Sequence, residues 1–187
     1  MVVIALSGLP GTGSSTAGRL VAKKLDIEYF SAGTYNKEHA KSVAGKDVEK
    51  ETEKAVVMWK IERDKLDKFH LNTEDMYKEM ARKGNIIIDA KLAIWALKGI
   101  ADFSVWITAS LDSRAKRIAG RDNISIEEAE RILEEKLKLE VENWKRIYGI
   151  NYLDQEKEAD IVIDTSGKNP EEIADIIINE LRSRSLV

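Results

Sequence analysis

Three short runs, VVIALS at 2–7, NIIID at 85–89 and DIVID at 160–164, are rich in Val and Ile and show no alternation of apolar with polar residues. A strand with one wet face alternates. Strands without alternation are covered on both faces, as in a parallel sheet clothed by helices. We read five strands, at 2–7, 28–31, 86–89, 104–108 and 161–164. Helical patterns fit between them at 14–25, 35–44, about 47–83, 93–98, 111–120, 125–148 and 170–184. Strands alternating with helices imply an α/β three-layer sandwich around a five-stranded parallel sheet.

Helix signals refine this. Asn72 reads as an N-cap with Asp75 in the first turn and Gly84 as a C-terminal stop, so the region 47–83 is expected to be two helices. Ser125 and Glu128 form a capping-box pattern, and Pro170 suits a first helical turn. At 187 residues the chain fits one domain, with no repeats or linkers. Residues 34–84 and 109–160 are too long for simple crossovers. Both are helical and charged, so they are expected to cap the carboxyl edge of the sheet, where ligands of open α/β sheets bind.

Composition removes several classes of function. No apolar run approaches the ~18 residues of a membrane helix. The N-terminus carries no positive leader and enters a strand at once, so a cytoplasmic location is expected. The absence of cysteine excludes disulfides, thiolate metal sites and a cysteine nucleophile. His39 and His70 are isolated, and no zinc site is expected. A formal net charge of -3 gives no overall attraction to nucleic acid or an anionic membrane, so any phosphate binding is local.

The local candidate follows the first strand: Gly8-Leu9-Pro10-Gly11-Thr12-Gly13-Ser14-Ser15-Thr16, then a helix. Strand, glycine-rich loop and helix are the context of a phosphate-binding P-loop, in which backbone N–H groups form an anion nest at a helix N-terminus. Ser14 stands where the pattern has lysine. Ser15 takes the hydroxyl position that meets Mg²⁺, with Thr16 beside it. A glycine-rich turn without a ligand is the alternative reading. Asp89, ending an apolar strand, matches the carboxylate of a Walker B strand near the metal; a helix cap is its alternative.

With this loop, Asp89-Ala90-Lys91, the segment 114–122 (RAKRIAGRD), Ser31-Ala32-Gly33, Leu92-Ala93-x-Trp95, Tyr148-Gly149-Ile150 and the segment 160–166 (DIVIDTS), the chain resembles the archaeal-type cytidylate kinases, a family of P-loop nucleoside monophosphate kinases. The resemblance covers 1–40 and 84–187. It implies transfer of phosphate from ATP to CMP or dCMP with Mg²⁺, small nucleotide substrates, no nucleic-acid or membrane partner, and a monomer or weak oligomer. It also implies a core of 1–33, 85–118 and 148–187, a monophosphate-binding insert at 34–84, and a lid at about 119–147.

The resemblance further implies residue roles. Gly8, Pro10, Gly11, Thr12, Gly13, Ser14, Ser15 and Thr16 hold the donor phosphates, and Ser15 and Asp89 position the metal. Lys37 and Lys91 face the acceptor phosphate. Arg117 and Arg121, four apart on one helical face, reach in from the lid with Lys91 as catalytic groups; a solvated basic face is the bland alternative. Relatives carry arginine where this chain has Lys37, Lys91, Lys136 and Asn143, and a lysine lacks the bidentate fork of arginine. Trp59, Trp95, Trp106 and Trp144 read as packing residues. No family signature appears in 45–83, so base specificity is not legible, and another acceptor such as AMP or a weakly catalytic nucleotide sensor are the competing readings.

Overall fold

The structure, a computed structural model, describes residues 1–44 and 63–187. Strand β1 (Val3–Gly8) is buried along its whole length. Its missing alternation has a direct cause: Ile4 and Leu6 enter one apolar cluster, and Val3 and Ala5 enter another on the opposite face. Around it lie β2 (Glu28–Ser31), β3 (Ile86–Asp89), β4 (Phe103–Thr108) and β5 (Ile161–Asp164). They form one parallel sheet in the order β2-β3-β1-β4-β5.

The helices are α1 (Ser14–Leu25), α2 (Ala32–Ala44), α3 (Arg63–Lys83), α4 (Ala93–Ala96), α5 (Leu111–Asp122), α6 (Ile126–Tyr148), α7 (Gln155–Glu158) and α8 (Pro170–Ser183). One face of the sheet packs on Ala17 and Val21 of α1 and on Ile173, Ile177 and Leu181 of α8. The other packs on Tyr77 and Ala81 of α3, Ile94 of α4 and Trp144 of α6. Each fully buried aliphatic side chain contributes about 1.5–3 kcal/mol, so both layers are needed to cover the sheet. The three-layer sandwich is therefore as expected.

One helix boundary is corrected. Asn72 does not cap a helix: α3 runs unbroken from Arg63 to Lys83. His70, Thr73, Glu74, Tyr77 and Ala81 are all buried at helical spacing, and this stripe carries the helix through Asn72. The hydroxyl of Thr73 donates to the carbonyl of Phe69 one turn back. Gly84 does end the helix, in the left-handed conformation. The part of the expected region before residue 63, with Trp59, lies outside the described residues.

Smaller differences follow from side chains on the backbone. Helix α2 starts at Ala32, directly after β2. A 3₁₀ turn (Tyr152–Asp154) and α7 precede β5 where no element was expected. Asn169 and Glu172 close a full capping box ahead of Pro170. Ser125 caps α6 by accepting from the Glu128 N–H. Among the described residues, no helix is long and apolar enough to cross a membrane.

The register brings the carboxyl ends of the strands together. Leu6 and Ser31 both pair with Asp89, and Gly8 pairs with Ile107. Gly8 has to be glycine: a Cβ there would stand 2.2 Å from the Ile107 carbonyl oxygen.

Candidate functional site

The loop between β1 and α1 is tied down from behind. The Thr12 hydroxyl donates to the Leu9 carbonyl at 2.9 Å. Arg114, buried on α5, donates to the carbonyls of Ala109 and Pro10. Arg117 donates to the Thr12 carbonyl at 3.0 Å and to the hydroxyl and carbonyl of Thr165 at 3.0 and 2.6 Å. Two arginines thus hold the carbonyl side of the loop, leaving its N–H side to the cavity. The N–H groups of Ser14 and Ser15 precede the first bonds back to the Gly13 carbonyl, made by Thr16 and Ala17, and such leading N–H groups are the usual anion site at a helix N-terminus.

Gly13 sits at φ 85°, and a Cβ built on it meets nothing within 4 Å. That empty space belongs to a cavity of about 240 Å³ lined by residues 8–16 with Asp89, Lys91, Arg121 and Lys136. Gly13→Val is therefore expected to leave the sheet folded. The branched side chain would strain the left-handed backbone and fill the space a phosphate needs. Calorimetry should find ATP affinity lost in a variant whose circular dichroism is unchanged; unaltered affinity would remove the phosphate-loop reading.

Ser15 and Asp89 lie side by side. The Ser15 hydroxyl donates to Asp89 Oδ2 at 2.6 Å, and the Tyr29 hydroxyl donates to the same oxygen at 2.7 Å. Burial and the adjacent Asp89 charge push the Tyr29 phenol well above its ordinary pKa, so it remains a donor. A hydroxyl and a carboxylate are the hard oxygen donors that Mg²⁺ accepts, and water and phosphate oxygens usually complete its shell. The donor set therefore fits that ion. Tyr29 was not foreseen; it lies on β2, beside β3 in the register, and sequence spacing alone does not reveal a neighbour across strands.

Lys91 stands between two cavities. Its Nζ donates to the Gly8 carbonyl at 2.8 Å and lies 3.6 Å from Glu140 Oε2. Burial pushes its pKa down, and the Glu140 charge opposes that fall. The second cavity, about 130 Å³, shares Gly33, Ala90, Lys91 and Lys136 with the first. Glu140 is itself buried and also accepts from the Tyr152 hydroxyl.

The remaining expected residues are placed less directly. Arg121 lines the loop cavity and pairs with buried Asp122 at 2.7 Å. Arg117, on the same helical face, is turned to Thr12 and Thr165, outside that lining. Lys37 lies half-buried on α2, while its neighbour Asn36 lines the second cavity. Trp106 is core as expected; Trp144 is buried too, but it also lines the second cavity.

His70 and Glu74 of α3 line that cavity and are both shifted by burial. Burial pushes the His70 pKa down to about 4, against the pull of Asp67 and with help from Arg146 and His39, so the ring is neutral at pH 7. Burial pushes Glu74 up from 4.5 to about 7; Tyr148 and Lys78 oppose the rise and Asp75 adds to it. Between pH 4.5 and 7 the folded protein thus binds more protons at Glu74 than the unfolded chain does. Stability present below pH 4.5 is lost as pH rises through that window. Glu74→Gln lacks this loss, and is expected to gain on the order of 2 kcal/mol over the parent at pH 8 and nothing at pH 4. Thermal melts at the two pH values check it; equal melting at pH 8 would mean Glu74 ionises normally.

The family model described as the cytidylate kinase-like family matches residues 3–167. The chain is 35% identical over 183 residues to the cytidylate kinase of Sulfolobus acidocaldarius, covering 98% of this chain and 96% of that one. It is 36% identical over 180 residues to the cytidylate kinase of Ignicoccus hospitalis, covering 95% and 97%. The crystal structure of shikimate kinase from Aquifex aeolicus vf5 matches with a TM-score of 0.57 at 20% identity, over 99% of both chains. That last likeness concerns the fold alone.

Proposed function

The chain belongs to the cytidylate kinase-like family, and from that premise we propose that it transfers the γ-phosphoryl group of ATP to CMP or dCMP with Mg²⁺ bound. The observation that carries this reading is the pair of cavities meeting at Lys91. A donor held on the phosphate loop and an acceptor held in the second cavity would bring their phosphates together there. Phosphoryl transfer asks a protein mainly for such alignment, for exclusion of water, and for positive charge where negative charge spreads.

The roles follow from position. Backbone N–H groups of residues 11–15 bind the donor phosphates. Ser15 and Asp89 would hold Mg²⁺, which when bound supplies neutralisation of the β- and γ-phosphate oxygens. Lys91 supplies charge between donor and acceptor, with Lys136 beside it. Arg121 approaches the donor phosphates from the lid side, and Arg117 keeps the loop carbonyl of Thr12 turned away from them. Residues 34–84 act as the acceptor-binding insert and about 119–147 as the lid. Lys37, half-buried on α2, faces the acceptor phosphate.

The test is ADP release from ATP and Mg²⁺ in the presence of each of CMP, dCMP, UMP, AMP and GMP. Strong stimulation by CMP and dCMP is expected. ADP release that no monophosphate stimulates would overturn the assignment, and stimulation by AMP alone would change the acceptor.

A further inference from the structure

We propose that Tyr29 is a positioning residue for the metal: its phenol fixes the Asp89 carboxylate through one oxygen, so that the other oxygen is the one offered to a divalent cation. This rests on the role given above to Ser15 and Asp89. The Tyr29 and Ser15 hydroxyls converge on Oδ2, at 2.7 and 2.6 Å. Among the described residues Oδ1 accepts no hydrogen bond, and Asp89 lines the loop cavity. A carboxylate anchored by one oxygen presents the second. Hydrogen bonds that orient a ligating group in this way govern how well it binds its metal.

The two hydroxyls differ in what they can do. Ser15 stands in the cavity lining, is itself a candidate ligand, and has a hydroxyl that rotates to suit its partner. Tyr29 reaches Asp89 from β2, outside that lining, and its oxygen moves only when the whole ring moves. Tyr29 is thus the fixed support and Ser15 the adjustable one.

The ring has a place made for it. Gly18, buried inside α1, lies against it: a Cβ there would stand 2.8 Å from Tyr29 Cε2 and 2.9 Å from Leu6 Cδ2. Glycine within a helix costs stability relative to alanine, and here the missing methyl is the room the ring occupies. The Arg19 guanidinium lies 5.6 Å from the ring centroid and donates to the Thr34 hydroxyl at 3.2 Å. A ring needed only to fill this space would be served by phenylalanine, which brings no buried hydroxyl to satisfy.

Calorimetric titration of ADP with and without Mn²⁺, a stand-in for Mg²⁺, reads the metal in the absence of turnover. The ratio of the two affinities is the metal's contribution. Tyr29→Phe should reduce that ratio about tenfold and leave the affinity for metal-free ADP within about twofold of the parent's. Gly18→Ala keeps the hydroxyl but displaces the ring; it should reduce the ratio too, and it decides alone if Tyr29→Phe does not fold. In an Asp89→Asn background Tyr29→Phe should change the ratio no further, because Tyr29 acts through that carboxylate. A Tyr29→Phe ratio equal to the parent's, or the same loss in the Asp89→Asn background, would overturn the inference and leave Tyr29 a core residue. The expected pattern in a protein that transfers phosphate to no monophosphate would overturn the kinase reading while supporting this one.

Discussion

Asp89→Asn is expected to lower turnover with saturating ATP and CMP by about 10²-fold or more, the scale of a lost electrostatic catalytic group. Asp89 is buried at the end of β3 and collects hydrogen bonds from both Ser15 and Tyr29 on one oxygen. Asparagine keeps an acceptor for those donors, so the fold should survive. What it removes is the negative charge that suits the site to a divalent cation. The Mg²⁺ concentration for half-maximal rate should therefore rise along with the fall in kcat. If activity and Mg²⁺ dependence both stay near those of the parent, Asp89 only braces the loop and the metal lies elsewhere.

Lys91 carries the second large effect. Lys91→Ala should reduce kcat by about 10²-fold, because Lys91 stands on the wall between the cavities with its charge held at the Gly8 carbonyl. Some stability should go with it, since buried Glu140 loses its nearby cation at 3.6 Å. A thermal melt separates that loss from catalysis. Lys91→Arg should retain activity or raise it, because a guanidinium can bond two phosphate oxygens where an ammonium offers a point charge. The order of the three is the test, and an alanine variant as fast as the parent would make Lys91 a structural tie.

The parts of this molecule that sequence made legible are those governed by local rules. Strand β1 was readable because burial on both faces removes alternation, and the loop after it because only glycines turn the N–H groups inward at Gly11 and Gly13. Ser15 and Asp89 were readable together because a loop hydroxyl and a strand-end carboxylate are a known pair of positions. Asn72 misled because its capping preference is worth about 1 kcal/mol, less than the buried stripe through His70, Tyr77 and Ala81. Tyr29 and Glu140 stayed hidden because each meets its partner across elements far apart in sequence. His70 and Glu74 did leave a trace, as polar residues four apart within an apolar face, but a cap at Asn72 would have put them on different helices.

The proposed reaction passes a phosphoryl group directly from the loop cavity to an acceptor in the second. A single-turnover reaction with ATP labelled in the γ-phosphate, enzyme in excess, CMP and Mg²⁺ follows that group. The label should appear in the β-phosphate of CDP as fast as ADP forms, with almost none in inorganic phosphate. Label released only as inorganic phosphate, at a rate that CMP does not change, would contradict it.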